Sequence, residues 1–260
     1  MNFSLQTVFS IARNAFREAV RDRVLYNLIV FVLLIIAGAI FLGELTDGQE
    51  ARTIVNLGLG AMLLFGAFIS IFVGVSLVGK EIEKRTVFAI FSKPIGRGEF
   101  IVGKYLGLCL TLLVNVLVMG VGVSLALLYV GGGNLAISVW ATIFLIFLEL
   151  TILTAVAILF SSFSSPALSA LLTFLIFIIG HFSQSLKEFA GNLGSSATKL
   201  FFDALYYGLP NLSFYSFNTN AAHGDMPTTS HLLGAVLYAL VYICILLAAT
   251  ILIFSRRNFK

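Results

Sequence analysis

The side chains able to do chemistry in this chain are few, and most of them are gathered in one stretch. Between residues 79 and 104 stand Lys80, Lys84, Arg85, Lys93, Arg97 and Lys104, with Glu81, Glu83 and Glu99 among them and long apolar runs on either side. A stretch so charged cannot lie in lipid, because each charge at a bilayer centre costs about 2.5 to 3.5 kcal/mol. It is a water-facing loop. Glu81 to Phe91 contains neither Gly nor Pro and reads as a helix of about three turns, stopped by Pro94, which has no N–H and disfavours helix before it. Lys84, Phe88 and Phe91 follow the i, i+4, i+7 spacing and share one face. A basic, aromatic helix held between two spans suits either lipid headgroups or a partner protein. Spacing alone leaves both open.

The same stretch holds a false phosphate site. Gly98 to Tyr105 fits G-x-x-x-x-G-K, but Tyr105 stands where a Ser or Thr would have to bind magnesium, and Phe100, Ile101 and Val102 lead straight into an apolar run. A phosphate cradle needs a preceding strand and small residues that expose backbone N–H groups. If ATP drives this protein, another chain binds it.

Inside the apolar runs, Glu149 is the one carboxylate near the middle of a span. An intramembrane ionisable group by default faces the protein interior and marks a site. Glu149 could meet a polar substrate group or a proton, or it could serve structure alone, since no Lys or Arg in a span is there to pair with it. Thr111, Asn115 and Ser124 form a sparse polar stripe, extended by Thr151 and Thr154. Hydroxyls in spans commonly bond their own i−4 carbonyl, which reads as packing more readily than as a polar channel. Asn115 and Glu149 are the candidate pathway residues, and the apolar surroundings favour an amphiphilic or lipid-like substrate. His181, His223 and His231, with Asp225 nearby, lie on the outer side without H-x-x-x-H or H-x-H spacing, which argues against a metal site. G-x-S-x-G, H-E-x-x-H and C-x-x-C are all absent, so no catalytic residue is assigned.

These residues are positioned by helices that must cross a membrane. The chain has 260 residues, of which 59% are hydrophobic and 11% charged, outside the range of soluble domains. About 20 apolar residues suffice for one crossing, and runs of that scale recur. The expected architecture is all-α: a single polytopic domain over 1–260 with six spans. These run at about Val24–Leu42, Ile54–Val78, Tyr105–Val130, Ile137–Phe160, Ala167–Phe182 and Leu232–Phe254. Span one follows an amphipathic segment without a small-residue cleavage pattern and is expected to stay as an anchor. Gly58, Gly60, Gly66 and Gly74 mark places on span two for close helix approach.

Ahead of span one, the segment 1–23 carries Leu5, Val8, Phe9, Ala12, Phe16, Ala19 and Val20 within an arc of about 120°, with Arg13, Arg17, Glu18, Arg21 and Asp22 outside it. That pattern predicts an interfacial helix. Ser165 is a candidate N-cap with Pro166 at the first helical position. The outer loop 183–230 is too long for a turn and suggests a short apolar helix near Leu200 to Tyr206. Six spans place both termini on one side, and thirteen Lys and Arg on that side against three on the other make it cytoplasmic.

The string E-I-E-x-x-T at Glu81, Ile82, Glu83 and Thr86, then K-P-I-G-R-G at Lys93, Pro94, Ile95, Gly96 and Arg97, then Gly103, Lys104 and Gly107, resembles the cytoplasmic loop of type-two ABC exporter permeases. The resemblance implies a cytoplasmic coupling helix between spans two and three that docks on a separate ABC ATPase subunit. Glu81, Lys84, Arg85, Phe88 and Phe91 would meet that subunit, with Pro94 and Arg97 fixing the exit into span three. It implies no enzyme activity and no cofactor in this chain, ATP and magnesium on the partner, and a second permease copy or a similar permease to complete twelve spans. It also implies a prokaryotic inner membrane, and an elbow role for the interfacial helix, which otherwise reads as a plain anchor. Two other readings stay open: a proton-coupled secondary carrier using Glu149, and a non-transporting ABC-type scaffold that moves a partner protein.

Overall fold

The computed structural model describes residues 4–20, 49–83, 96–183 and 208–256, with single positions between 30 and 41 and between 200 and 206. Of 78 and 80–83 it describes the backbone alone. Most of the expected span one, Lys84 to Ile95 of the organising loop, and most of the expected helix near Leu200 lie outside the described residues.

The described chain is helical, without strands. α1 is Leu5–Ala19, α2 Glu50–Glu83, α3 Arg97–Tyr129, α4 Gly133–Ser161 and α5 Pro166–His181. A 3-10 turn at Leu212–Tyr215 and the short α6, Asn218–Ala222, lead to α7, Thr229–Arg256. Four of these, α2, α3, α4 and α7, are long and apolar enough to cross a membrane. α5 is apolar but has only 16 residues, about 24 Å of helix against a hydrocarbon core of about 30 Å. The expected six spans are therefore described as four, with α5 a shorter fifth.

The long helices outrun the expected spans. α2 does not stop near Val78 but continues through Gly79 and Lys80 to Glu83, so Glu81 to Glu83 extend span two instead of opening a separate helix. α3 begins at Arg97, eight residues before the expected Tyr105. At 33 residues it is about 50 Å long, more than a bilayer core requires, so its first turns project beyond it.

α4 is the centre of the bundle. It is apolar on every side, with Val139, Ile143, Ile146, Leu150, Leu153 and Ala157 all buried against α2, α3, α5 and α7. A helix without a polar stripe belongs inside a bundle or in lipid. α7 is peripheral: Ala235, Ala239, Ile243, Thr250 and Phe254 turn inward, and Leu233, Leu237, Val241 and Ile245 stay exposed.

Small residues set the helix separations. A Cβ on Gly66 would stand 2.3 Å from a methyl of Leu150, and one on Gly58 2.8 Å from Val123. Gly74 faces Ala157 and Leu108 as closely as van der Waals contact allows. Three of the four glycines expected on span two thus sit at close approaches, and Gly60 alone faces open space. The α3–α4 turn uses Gly131 at φ +78°, a left-handed conformation that favours glycine. At the head of α5, Ser165 is the N-cap and Pro166 the first helical residue, but the Ser165 side chain makes no capping bond. Ser164 instead meets the Ser169 hydroxyl at 2.6 Å.

Candidate functional site

At the end of the bundle where α3 begins, α1 lies along the first turns of α3. The cause is local sequence. A Cβ on Gly103 would be 2.7 Å from Ile11, and one on Gly107 would be 2.5 Å from the Ala12 carbonyl and 2.6 Å from the Ala15 methyl. Gly103 and Gly107, one helical turn apart, let two backbones meet as small-x-x-x-small pairs do. Val8, Ala15 and Ala19 are buried there. Gly103, the second glycine of the false phosphate motif, is therefore a packing residue inside a helix. The expected apolar arc of α1 is divided, with Leu5 and Phe9 exposed.

Polar contacts lock this docking. Glu99 accepts the Ser4 N–H at 2.6 Å and the Gly96 N–H at 2.9 Å, so one carboxylate holds the start of α1 and caps α3. Buried Lys104 reaches Glu18 at 3.3 Å and lies over the Phe100 ring. Half-exposed pairs of this kind contribute about 0 to 1 kcal/mol, so the close backbone approach matters more than the ion pair. Neither Glu99 nor Glu18 was singled out from sequence. A carboxylate three residues after the loop glycine Gly96 was the available signal.

Of the expected ATPase-contact residues, Lys84, Arg85, Phe88, Phe91 and Pro94 lie outside the described residues, and Glu81 is described only as backbone of α2. Arg97 opens α3 and donates from Nη1 to the carbonyl of Phe254 at 3.0 Å and to that of Ser255. Cations suit the carbonyl end of a helix. Arg97 thereby ties the loop exit to the last turn of α7.

Glu149 lies deep in α4 with 1% of its surface exposed. It has a partner after all: Oε1 stands 3.3 Å from His181 Nδ1 at the end of α5. The expected absence of a Lys or Arg partner left open a hydrogen bond to another helix, and His181 on the expected fifth span supplies one. His181 sits on the last turn of α5. Glu149 Oε2 has no hydrogen-bond partner among the described residues.

Asn115 is buried in α3 and donates to the Thr111 carbonyl at 2.7 Å, while its own Oδ1 has no partner among the described residues. The structure joins Asn115 and Glu149 by no hydrogen bond among the described residues. Thr111 bonds back to the Gly107 carbonyl, Thr154 to that of Leu150 and Thr151 to that of Leu148. His223 bonds the Thr219 carbonyl and His231 packs on the Phe214 ring, so the three histidines are apart. Among the described residues no three His, Cys, Asp or Glu gather as a metal site.

At the other end of the bundle, the segment from Gly208 to Ala222 folds over α2, α4 and α5. Tyr238 Oη accepts the Asn211 N–H at 2.9 Å, Tyr242 donates to the Gly208 carbonyl at 3.1 Å, and Tyr215 donates to the Ala235 carbonyl at 2.9 Å. Gly180 admits it, since a Cβ there would be 2.7 Å from the Pro210 carbonyl. Ser183 and Ser213 both donate to Asn211 Oδ1, which fastens the segment to the end of α5.

The bundle of apolar helices carries a docked amphipathic helix at one end and a folded cap at the other. Two curated proteins, each named "Probable ABC transporter permease protein NosY", are similar to this chain. The one from Stutzerimonas stutzeri is 25% identical over 143 residues, covering 53% of this chain and 51% of the relative. The one from Pseudomonas aeruginosa is 27% identical over 129 residues, covering 48% and 46%. The chain spans about half the length of the curated relatives it matches. The family described as ABC-2 family transporter protein matches residues 9–259, nearly the whole chain. By that match the chain belongs to the ABC-2 transporter family, as a transmembrane ABC permease subunit.

Proposed function

We propose that this permease subunit works as half of an ATP-driven exporter, coupled through the loop between α2 and α3 to a separate ABC ATPase that binds ATP and magnesium. The observation that carries the reading is the continuity of α2 from Glu50 to Glu83. α2 runs unbroken to Glu83, the edge of the basic, aromatic stretch, and α3 begins beyond that stretch with α1 clamped along its side. A push on Lys84, Arg85, Phe88 and Phe91 then moves α2 as a lever, while Pro94 and Arg97 hold the return into α3. ATP does this only if it binds the two states of the assembly unequally.

The distribution of Lys and Arg supports a cytoplasmic loop and cytoplasmic termini, and the membrane proposed is a prokaryotic inner membrane. A second copy, or a similar permease, completes the pathway. The test is affinity purification of the tagged chain in mild detergent, with mass spectrometry and an ATPase assay. A stoichiometric ATPase subunit that is lost in Lys84→Glu/Arg85→Glu and in Phe88→Ala/Phe91→Ala is the expected result. An ATPase retained at full stoichiometry in both variants overturns the contact assignment.

The Glu149–His181 pair favours a second reading, a proton-coupled carrier, because a carboxylate and an imidazole in one buried contact can share a proton. Transport driven by a pH gradient without any ATPase is its required signature.

A further inference from the structure

We propose that the first turn of α3 is the fixed end of the coupling loop, with Arg97 and Glu99 as positioning residues that hold it against α7 and α1 while α2 moves. This rests on the ATPase coupling proposed above and names the side of the loop that yields. Five consecutive residues carry the attachments. Glu99 accepts the N–H groups of Ser4 and Gly96 together, so one carboxylate joins the start of α1 to the last residue before α3. Arg97 donates to the carbonyls of Phe254 and Ser255 in α7. Next to it, a Cβ on Gly98 would stand 3.7 Å from Ile251, and Phe100 stacks on Phe254 with ring centroids 6.0 Å apart. Both rings are buried.

The chemistry of these contacts suits an anchor. The last carbonyls of a helix have no partner inside it, and a guanidinium placed there meets their lone pairs and the negative end of the helix dipole at once. Hydrogen bonds with an ionised partner are the shorter and stronger kind, and they fix direction as well as distance. The stacked rings add apolar area that water cannot reach. With the start of α1, the loop exit and the end of α7 all fastened to one turn, α3 has no independent direction in which to rotate there.

α2 enters the same stretch through a different kind of contact. A Cβ on Gly79 would stand 3.2 Å from the Pro166 ring at the head of α5. That contact is apolar and carries no directed bond, so it permits the small sliding of packed helices by which many proteins switch. A push on a loop held at one end is delivered to the other. Arg97 on this account acts through α7 and does not touch the ATPase.

The experiment uses the full chain with its co-purified ATPase in nanodiscs and needs no substrate. In a Cys109→Ala/Cys244→Ala background, spin labels at Ser76→Cys of α2, Leu106→Cys of α3 and Leu252→Cys of α7 are paired, and their distances are compared before and after trapping with magnesium ATP and vanadate. Singly labelled chains identify distances between copies. The distance from Ser76 to Leu252 should change, and that from Leu106 to Leu252 should not. In Arg97→Ala the ATPase should stay bound at full stoichiometry, unlike in Lys84→Glu/Arg85→Glu, yet the change at Ser76 should fall by at least half and a change should appear at Leu106. Glu99→Ala should act in the same way, and Arg97→Lys, which keeps the charge and a donor, should restore most of the response. In an unlabelled chain, a short thiol crosslink between Gly98→Cys and Ile251→Cys should leave at least half of the ATPase rate. Equal changes at Ser76 and Leu106 before any substitution at Arg97, loss of the ATPase from Arg97→Ala, or near-complete loss of the rate on crosslinking each overturns the proposal. Should Arg97→Ala not fold, the unsubstituted distances and the crosslink still decide. A chain without any bound ATPase, silent to nucleotide at all three labels, overturns the coupling reading itself and this inference with it, and that silence tells it apart from the other results.

Discussion

Glu149 Oε1 and His181 Nδ1 meet at 3.3 Å, joining the buried centre of α4 to the last turn of α5. The carboxylate is enclosed and the imidazole is 26% exposed at the edge of a cleft between α2 and α5. A buried carboxylate deprived of its partner is far more costly than the pair is favourable. The contact therefore holds α5, the shortest of the apolar helices, in a defined rotation about the bundle.

Removing the imidazole should consequently hurt more than neutralising the acid. His181→Ala is expected to destabilise the chain by about 3 kcal/mol, at the low end for a broken buried pair because the ring is partly exposed. Glu149→Gln should cost no more than about 1 to 2 kcal/mol. In the Glu149→Gln background the effect of His181→Ala should fall by at least half, since the stranded carboxylate is gone. Thermal unfolding of the four proteins in one detergent measures the cycle. Strict additivity would show that the two residues do not act together.

Transport separates the two functional readings at the same residue. An ATP-driven exporter needs the Glu149–His181 contact for packing, so Glu149→Gln should retain at least about half of its ATP-dependent activity in proteoliposomes. A proton carrier has no substitute for the ionisable group and should lose activity by about a hundredfold or more, the lower bound of the range for a proton-transferring side chain. The ATPase rate of the co-purified subunit, followed in both proteins, gives the internal reference.

Much of this arrangement was readable from the residues. Long apolar runs have few alternatives to spanning helices, and Pro166 and the glycines at 131–133 stop and start helices for reasons internal to the backbone. Gly58, Gly66 and Gly74 announced close contacts because a missing Cβ in a span is most useful where another helix presses in. What the residues left open is tertiary. The sequence order of Glu149 and His181 carries no sign of their meeting, because 32 residues and a turn intervene and the depth of His181 depends on where α5 begins. Glu99 looked like one more loop charge, and its bond to the Ser4 N–H spans 95 residues. Gly103 and Lys104 belong to a motif whose phosphate reading the sequence already excluded, but nothing in the sequence shows that α1 packs against them.

That docking gives a steric prediction. Gly107→Leu must displace the Ala12 carbonyl and the Ala15 methyl, which are backbone and stub with no freedom to move aside. It should cost about 1 to 3 kcal/mol, the usual range for overpacking, concentrated in α1. Protease sensitivity near Arg13 and Arg17 should rise several-fold, with α4 and α7 unchanged by hydrogen exchange. Gly60→Leu is the matched control, because the same side chain there enters open space.

The cap over the α6 end is held by three tyrosine hydroxyls of unequal importance. Tyr215 is fully buried, and its bond to the Ala235 carbonyl links the 3-10 turn to α7 where water cannot replace it. Tyr242 is bonded to Gly208 near the surface, where solvent can substitute. Tyr238 lies between these cases, and without its oxygen the Asn211 N–H is left unpaired beside the ring. Leaving a buried group unsatisfied costs about 1 to 3 kcal/mol, against about 0.5 to 1.5 for an ordinary exchange with water. Tyr215→Phe and Tyr238→Phe should therefore each accelerate amide exchange across 208–217 by about tenfold, and Tyr242→Phe by no more than about threefold. If all three act equally, the cap is held by its apolar contacts at Leu212 and Ala221, and the hydroxyls are incidental to its closure.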